Sequence, residues 1–111
     1  IRKIAEQGPA IIVGRCSDYI LRDMENTLNV FLTSPLEVRA ARIAERSNVS
    51  LEEAERLAEE KDRKRSDYYN YYTFGNWGHA QTYDLCLDSS LLGIEGTADF
   101  IIDFARRAGK L

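Results

Sequence analysis

Three short apolar runs constrain this chain most. Ala10-Ile11-Ile12-Val13, Leu28-Asn29-Val30-Phe31-Leu32 and Asp84-Leu85-Cys86-Leu87-Asp88 are each bounded by turn or capping residues. Each has the length of a strand, and the first is apolar without alternation, as expected of a strand buried on both faces. Between and after them lie segments with helical periodicity. Strands alternating with helices predict an α/β domain with a parallel sheet. In such sheets ligands bind outside the carboxyl ends of the strands. Attention therefore falls on Gly14-Arg15-Cys16-Ser17-Asp18, Thr33-Ser34 and Asp88-Ser89-Ser90.

The helices announce themselves by their ends. Ile1 to Gln7 reads as a helix end stopped by Gly8-Pro9. Ser34-Pro35-Leu36-Glu37 predicts a helix start, with Ser34 as cap, Pro35 at the first helical position and Glu37 completing a capping box. That helix carries Leu36, Ala40, Ile43 and Ala44 on one side and ends near Asn48. Ser50 and Glu53 form a second capping box, opening SLEEAERLAEEKDRKRSDYYNYY, residues 50–72. Phe74 to Tyr83 has two glycines and no clear period, which predicts a loop. Ser89-Ser90 predicts a turn. A last helix follows, lined by Ile94, Ala98, Ile101, Ile102, Ala105 and Ala108 and stopped at Gly109.

The 50–72 helix has an anomaly on its apolar side. At about 100° per residue, Leu51, Ala54, Leu57, Ala58, Tyr68, Tyr69 and Tyr72 share one face, and Lys61 and Arg65 fall in the middle of it. A helix with only a packing role turns its cations to water. Two readings are open: the two stems lie on apolar surface with their charges in solvent, or they point inward at an anion. The neighbouring charges, Glu52 to Glu60 and then Lys61, Arg63, Lys64 and Arg65, also suit a solvated face with i,i+4 pairs.

Composition narrows the class. With 111 residues, 44% of them hydrophobic, one domain over residues 1–111 is expected. The net charge of -3 does not suggest nucleic-acid binding. No run approaches the roughly 18 apolar residues of a membrane span, and no signal peptide is present. Cys16 and Cys86 lack metal-ligand spacing and are expected as buried free thiols in a cytoplasmic protein. His79 sits in a Gly-rich loop with no nucleophile beside it, which suits a surface role. Core packing accounts for the tyrosines of residues 68–72 better than nucleobase stacking does. The chain starts at Ile1 inside a helical pattern and reads as a piece of something longer.

An Arg directly after a Gly at a strand's carboxyl end suits a phosphate, because Gly allows close backbone approach and guanidinium offers a planar fork of donors. Capping a helix, or pairing with Asp18 or Asp88, would equally occupy Arg15. In order along nearly the whole chain, VGRC, NVFLTSPLEVRAARIAER, KDRKR with DYYNYY, and YDLCLDSSLLGIEG resemble the cytidylate kinase-like family of P-loop nucleoside-monophosphate kinases. The resemblance implies a three-layer α/β/α parallel sheet, present here only in part, with a basic lid at about residues 59–72. It implies phosphoryl transfer from ATP with Mg²⁺ to a CMP-like monophosphate. Lys61 and Arg65 would be catalytic lid cations, and Arg63, in the same lid segment, would help bind ATP. Arg15, with Asp18, would hold the acceptor, and Ser89 and Ser90 would lie near adenine. A P-loop-like module that binds nucleotide or a partner without turnover is the alternative.

Two departures stand out. The family typically shows Gly-Arg-Asp where this chain has Gly14-Arg15-Cys16, which leaves the acceptor base open. No GxxxxGK(S/T) loop occurs in these residues, so the resemblance places that loop upstream. The implied strand order puts the missing P-loop strand between Ala10–Val13 and Leu28–Leu32. These two runs should therefore not pair, whereas Leu28–Leu32 and Leu85–Leu87 should be parallel neighbours.

Overall fold

The structure, a computed structural model, describes residues 1–14, 16–73 and 75–111. Helix α1 (Arg2–Glu6) and the short helix α2 (Ser17–Ile20) precede strand β1 (Val30–Thr33). Helices α3 (Leu36–Ser47) and α4 (Leu51–Thr73) follow, then a 3₁₀ turn (Ala80–Thr82), strand β2 (Leu85–Asp88) and helix α5 (Ser89–Arg107). The fold is mixed α/β with a parallel two-stranded sheet. Val30 stands opposite Leu85 and Thr33 opposite Asp88. The second and third apolar runs are thus the parallel neighbours that the resemblance implied. Just before the ladder, the Asn29 amide donates to the Asp84 carboxylate at 2.7 Å and the Asn29 carbonyl accepts from the Asp84 amide at 2.8 Å.

The first apolar run corrects the sequence reading. Ala10–Val13 is in no ladder among the described residues, and Ile11 and Val13 are 96% and 87% exposed. Strand propensity does not make a strand where no neighbour meets the backbone donors and acceptors. Among the described residues the sheet holds only β1 and β2, so the expected order of strands is not displayed by this run.

The core lies between α3 and α4. Ala40 and Ile43 of α3 pack on Ala54 and Ala58 of α4, with Leu36, Ala44, Val49 and Leu57 around them. Alanine on both sides lets the two helices approach closely. Asn48 closes α3 in a left-handed conformation (φ 53°), and its amide donates to the Ala44 carbonyl. The start of α3 differs from the expected box by one residue. Pro35, with extended backbone (ψ 147°), is the N-cap, no side chain caps the helix, and Ser34 is buried.

Helix α4 opens as expected at its cap, where the Glu53 amide donates to Ser50 Oγ at 3.1 Å. The reciprocal half of the box is absent. The Glu53 carboxylate instead accepts from Arg56 at 2.5 Å. The helix runs 23 residues without a break. Near its end Tyr69 is buried, but Tyr68 and Tyr72 are exposed and contact each other with rings tilted by 50°, centroids 4.8 Å apart. Packing thus accounts for only one of the three tyrosines on the expected stripe.

Helix α5 starts at Asp88, whose carboxylate accepts from the Ser90 amide at 2.9 Å. Gly93 then breaks the helix at φ 74°, a conformation that favours glycine. Beyond it the expected apolar stripe is largely uncovered: Ile94 is 80% exposed, and Ala98, Ile102 and Ala108 are exposed too. The cysteines also differ from expectation. Both are free thiols, but Cys86 is exposed and Cys16 only half-buried. His79 is exposed, as expected.

Candidate functional site

The seam that packs α3 on α4 opens into a groove of about 220 Å³, and its walls are basic. Its floor is Ile43 and Ala58, the ends of the two apolar stripes. From α3 come Arg39, Arg42 and Arg46, spaced i, i+3, i+7; from α4 come Lys61, Asp62 and Arg65. That spacing keeps each set on one helix face. Five cations against one carboxylate leave a formal excess of four positive charges around a small volume.

Charge pairing separates the two sides of α4. On its outer face Arg56 bridges Glu53 and Glu60, and Lys64 pairs with Glu60 at 3.2 Å. These contacts hold the Glu53 and Glu60 carboxyls below their usual range, the guanidinium of Arg56 and the ammonium of Lys64 being the leading causes. That face is the solvated one with i,i+4 pairs. In the groove, Arg42, Arg46 and Lys61 make no ion pair among the described residues. Arg65 faces Asp62 at 3.8 Å and keeps 64% of its side chain exposed. Cations gathered without matching acids repel one another, so an arrangement of this kind suits a multiply charged anion. Guanidinium forks match phosphate oxygens in particular.

The structure places Lys61 and Arg65 along the groove beside Ile43 and Ala58, with both side chains exposed. Arg63 lies on the outer, exposed side of α4 and does not line it. Arg42 and Arg46 were missed by sequence reasoning. Their signal was the i, i+4 repeat beside the apolar stripe of α3, which by itself also describes an ordinary solvated flank.

The remaining sequence candidates are elsewhere. Arg15 lies outside the described residues. Asp18 is committed at both oxygens: Oδ1 accepts from the Tyr19 amide at 2.9 Å and Oδ2 from the Tyr69 hydroxyl at 2.7 Å. Burial and then the Asp18 carboxylate push the Tyr69 hydroxyl well above its ordinary range, so it acts as a donor. Beside them Cys16 adopts a left-handed conformation (φ 56°), and burial, then Asp18, raises its thiol. At the carboxyl ends of the strands, Ser89 Oγ donates to the Thr33 carbonyl at 3.3 Å. Ser90 Oγ donates to Asp88 at 2.6 Å, which with the Ser90 amide holds that carboxyl low. Both serines therefore form the first turn of α5 itself, not a separate turn before it as the sequence suggested.

Comparison with known proteins settles the relationship. Residues 1–91 match the sequence profile of the cytidylate kinase-like family. The chain belongs to that family. It is 32% identical over 97 residues to a cytidylate kinase of Methanopyrus kandleri, covering 80% of this chain and 50% of that protein. A cytidylate kinase of Pyrococcus horikoshii is 32% identical over 93 residues, covering 83% and 47%. The chain thus spans about half the length of the curated relatives it matches. The crystal structure of an uncharacterized protein from Eubacterium ventriosum superposes with a TM-score of 0.84 at 28% identity, over 96% of this chain and 59% of that one. Among the described residues, no helix is long and apolar enough to cross a membrane.

Proposed function

We propose that the full-length protein is an ATP-dependent nucleoside-monophosphate kinase. In this reading residues 1–111 form the C-terminal part of one P-loop kinase domain of three α/β/α layers. The segment at about 59–72 of α4 serves as its lid, and the protein works in the cytoplasm. The groove carries the reading: Arg42 and Arg46 on one helix face Lys61 and Arg65 on the next, with no acid paired to the first three. A polyphosphate is the nucleotide part that such a groove fits. The names of the relatives support a monophosphate as acceptor, and CMP is the first candidate.

Phosphoryl transfer leaves little covalent work to the protein, so catalysis rests on positioning and on stabilising charge over the equatorial oxygens. Arg42 and Arg46 would hold the donor phosphates from α3. Lys61 and Arg65 would neutralise charge that develops on the transferring group. Arg15 would bind the acceptor phosphate, and Asp18, fixed by Tyr69, would shape the acceptor side. Bound together with the nucleotide, Mg²⁺ would supply charge neutralisation on the phosphates. The described residues hold no cluster of three candidate metal ligands, so no step here is assigned to a metal held by this chain.

The test is a coupled assay of the full-length protein with ATP and a panel of nucleoside monophosphates. Turnover of CMP or a close relative is expected. Nucleotide binding without turnover across the panel would favour a non-catalytic nucleotide-binding module and end the kinase reading.

A further inference from the structure

One carboxylate stands among the five cations, and for a groove that takes polyphosphate it is out of place. A like charge at Asp62 by itself weakens the binding of phosphate. What Asp62 holds explains its position. Arg39 is fixed at two points: its Nε donates to the Ser34 carbonyl at 3.0 Å, and its NH1 donates to Asp62 Oδ2 at 2.5 Å. Those bonds form a continuous link from the carboxyl end of β1, through α3, to α4. Of the ion pairs among the described residues, this is the one that joins two elements; the others lie within a single helix. Its two side chains are also among the less exposed of those pairs, at 31% and 30%.

We propose that Arg39 and Asp62 are a positioning pair that sets the width of the groove. The link fixes the turn of α4 that carries Lys61 and Arg65 against the face of α3 that carries Arg42 and Arg46. The four remaining cations then meet a polyphosphate at one spacing without having to rearrange. Arg39 is spent on Ser34 and Asp62 and does not itself bind phosphate. This rests on the polyphosphate reading above, and adds to it the residues that hold the cradle in shape.

The experiment uses the full-length protein and its Asp62→Asn, Asp62→Glu, Arg39→Lys and Asp62→Asn/Arg39→Lys variants. Calorimetry measures inorganic tripolyphosphate binding at fixed ionic strength, and the coupled assay gives KM for ATP and for the monophosphate. Asp62→Asn and Arg39→Lys should each weaken tripolyphosphate binding and raise the ATP KM on the order of 10-fold. The monophosphate KM should stay within about twofold, because the pair acts on the donor side. Asp62→Glu keeps the charge and should recover most of the loss. The double variant should be no worse than the weaker single, as for two groups that act as a unit. Asp62→Asn binding tripolyphosphate as tightly as the wild type, or more tightly, would overturn the proposal; so would a double variant whose loss is the product of the two single losses. A wild type that binds tripolyphosphate with this variant pattern but phosphorylates nothing would end the kinase reading and leave the positioning pair standing. A wild type that does not bind tripolyphosphate removes both.

Discussion

Arg63 and Arg65 stand two positions apart on an unbroken helix, and only Arg65 lines the groove. That difference makes a clean comparison. In the full-length protein Arg65→Ala should lower kcat on the order of 10²-fold, with little change in monophosphate KM, because a lid cation acts on charge redistributed in the transition state. Arg63→Ala should stay near wild type, and steady-state kinetics of the two variants side by side check both. Arg15→Lys keeps the charge but loses the fork, and should raise the KM for the monophosphate while leaving that for ATP in place. Tyr69 makes a prediction about pH. Its folded value is raised above the ordinary one of about 10, so its contribution to stability is complete below that pH. Above it the unfolded hydroxyl ionises first, and the contribution is lost as pH climbs toward the folded value. Tyr69→Phe should therefore flatten the fall of stability above about pH 10, read by urea unfolding across that range. At this scale the sequence drew attention to the groove cations of α4, because Lys61 and Arg65 interrupt an apolar stripe. It hid Arg42 and Arg46, which flank a stripe instead of breaking one, and it hid that Asp18 has both oxygens engaged within the chain.

The elements divide between a well-packed pair of helices and loosely covered neighbours. Ala54 is fully buried and faces Ala40 and Ile43 across the seam. Ala54→Leu should force the helices apart and cost about 1–3 kcal/mol, measured by chemical denaturation. It should also weaken tripolyphosphate binding, since the same seam sets the groove. Both helices were legible from their periodicity and from Ser50 and Asn48 at their ends. The box at Ser34 was less so, because Pro35 suits either the cap or the first helical turn. Ala10–Val13 failed as a strand for a different reason. Its residues have the right propensity, but a strand is made by its neighbours, and composition does not report whether they are there.

Taken whole, the molecule leaves much apolar surface open. Ile11, Val13, Leu91 and Ile94 are each more than three-quarters exposed, and apolar surface left open to water favours association. Residues 1–111 expressed alone should bind a hydrophobic dye and sediment as aggregates, whereas the full-length protein should do neither; analytical ultracentrifugation of both separates the cases. The arrangement of contacts also bears on the order of assembly. Helices α3 and α4 follow each other closely and pack through residues near in sequence, from Ala40 to Ala58. The parallel ladder instead joins residues 55 apart, as Asn29 and Asp84 show at its edge. Closing a loop of that length costs entropy before any contact rewards it. Refolding followed by pulse-labelling hydrogen exchange should show amides of the helical hairpin protected ahead of those in Val30–Thr33 and Leu85–Asp88. The basic groove lies wholly within that hairpin, so under the proposed function a polyphosphate present during refolding would meet the groove before the sheet exists and would speed the search by holding the two helices together.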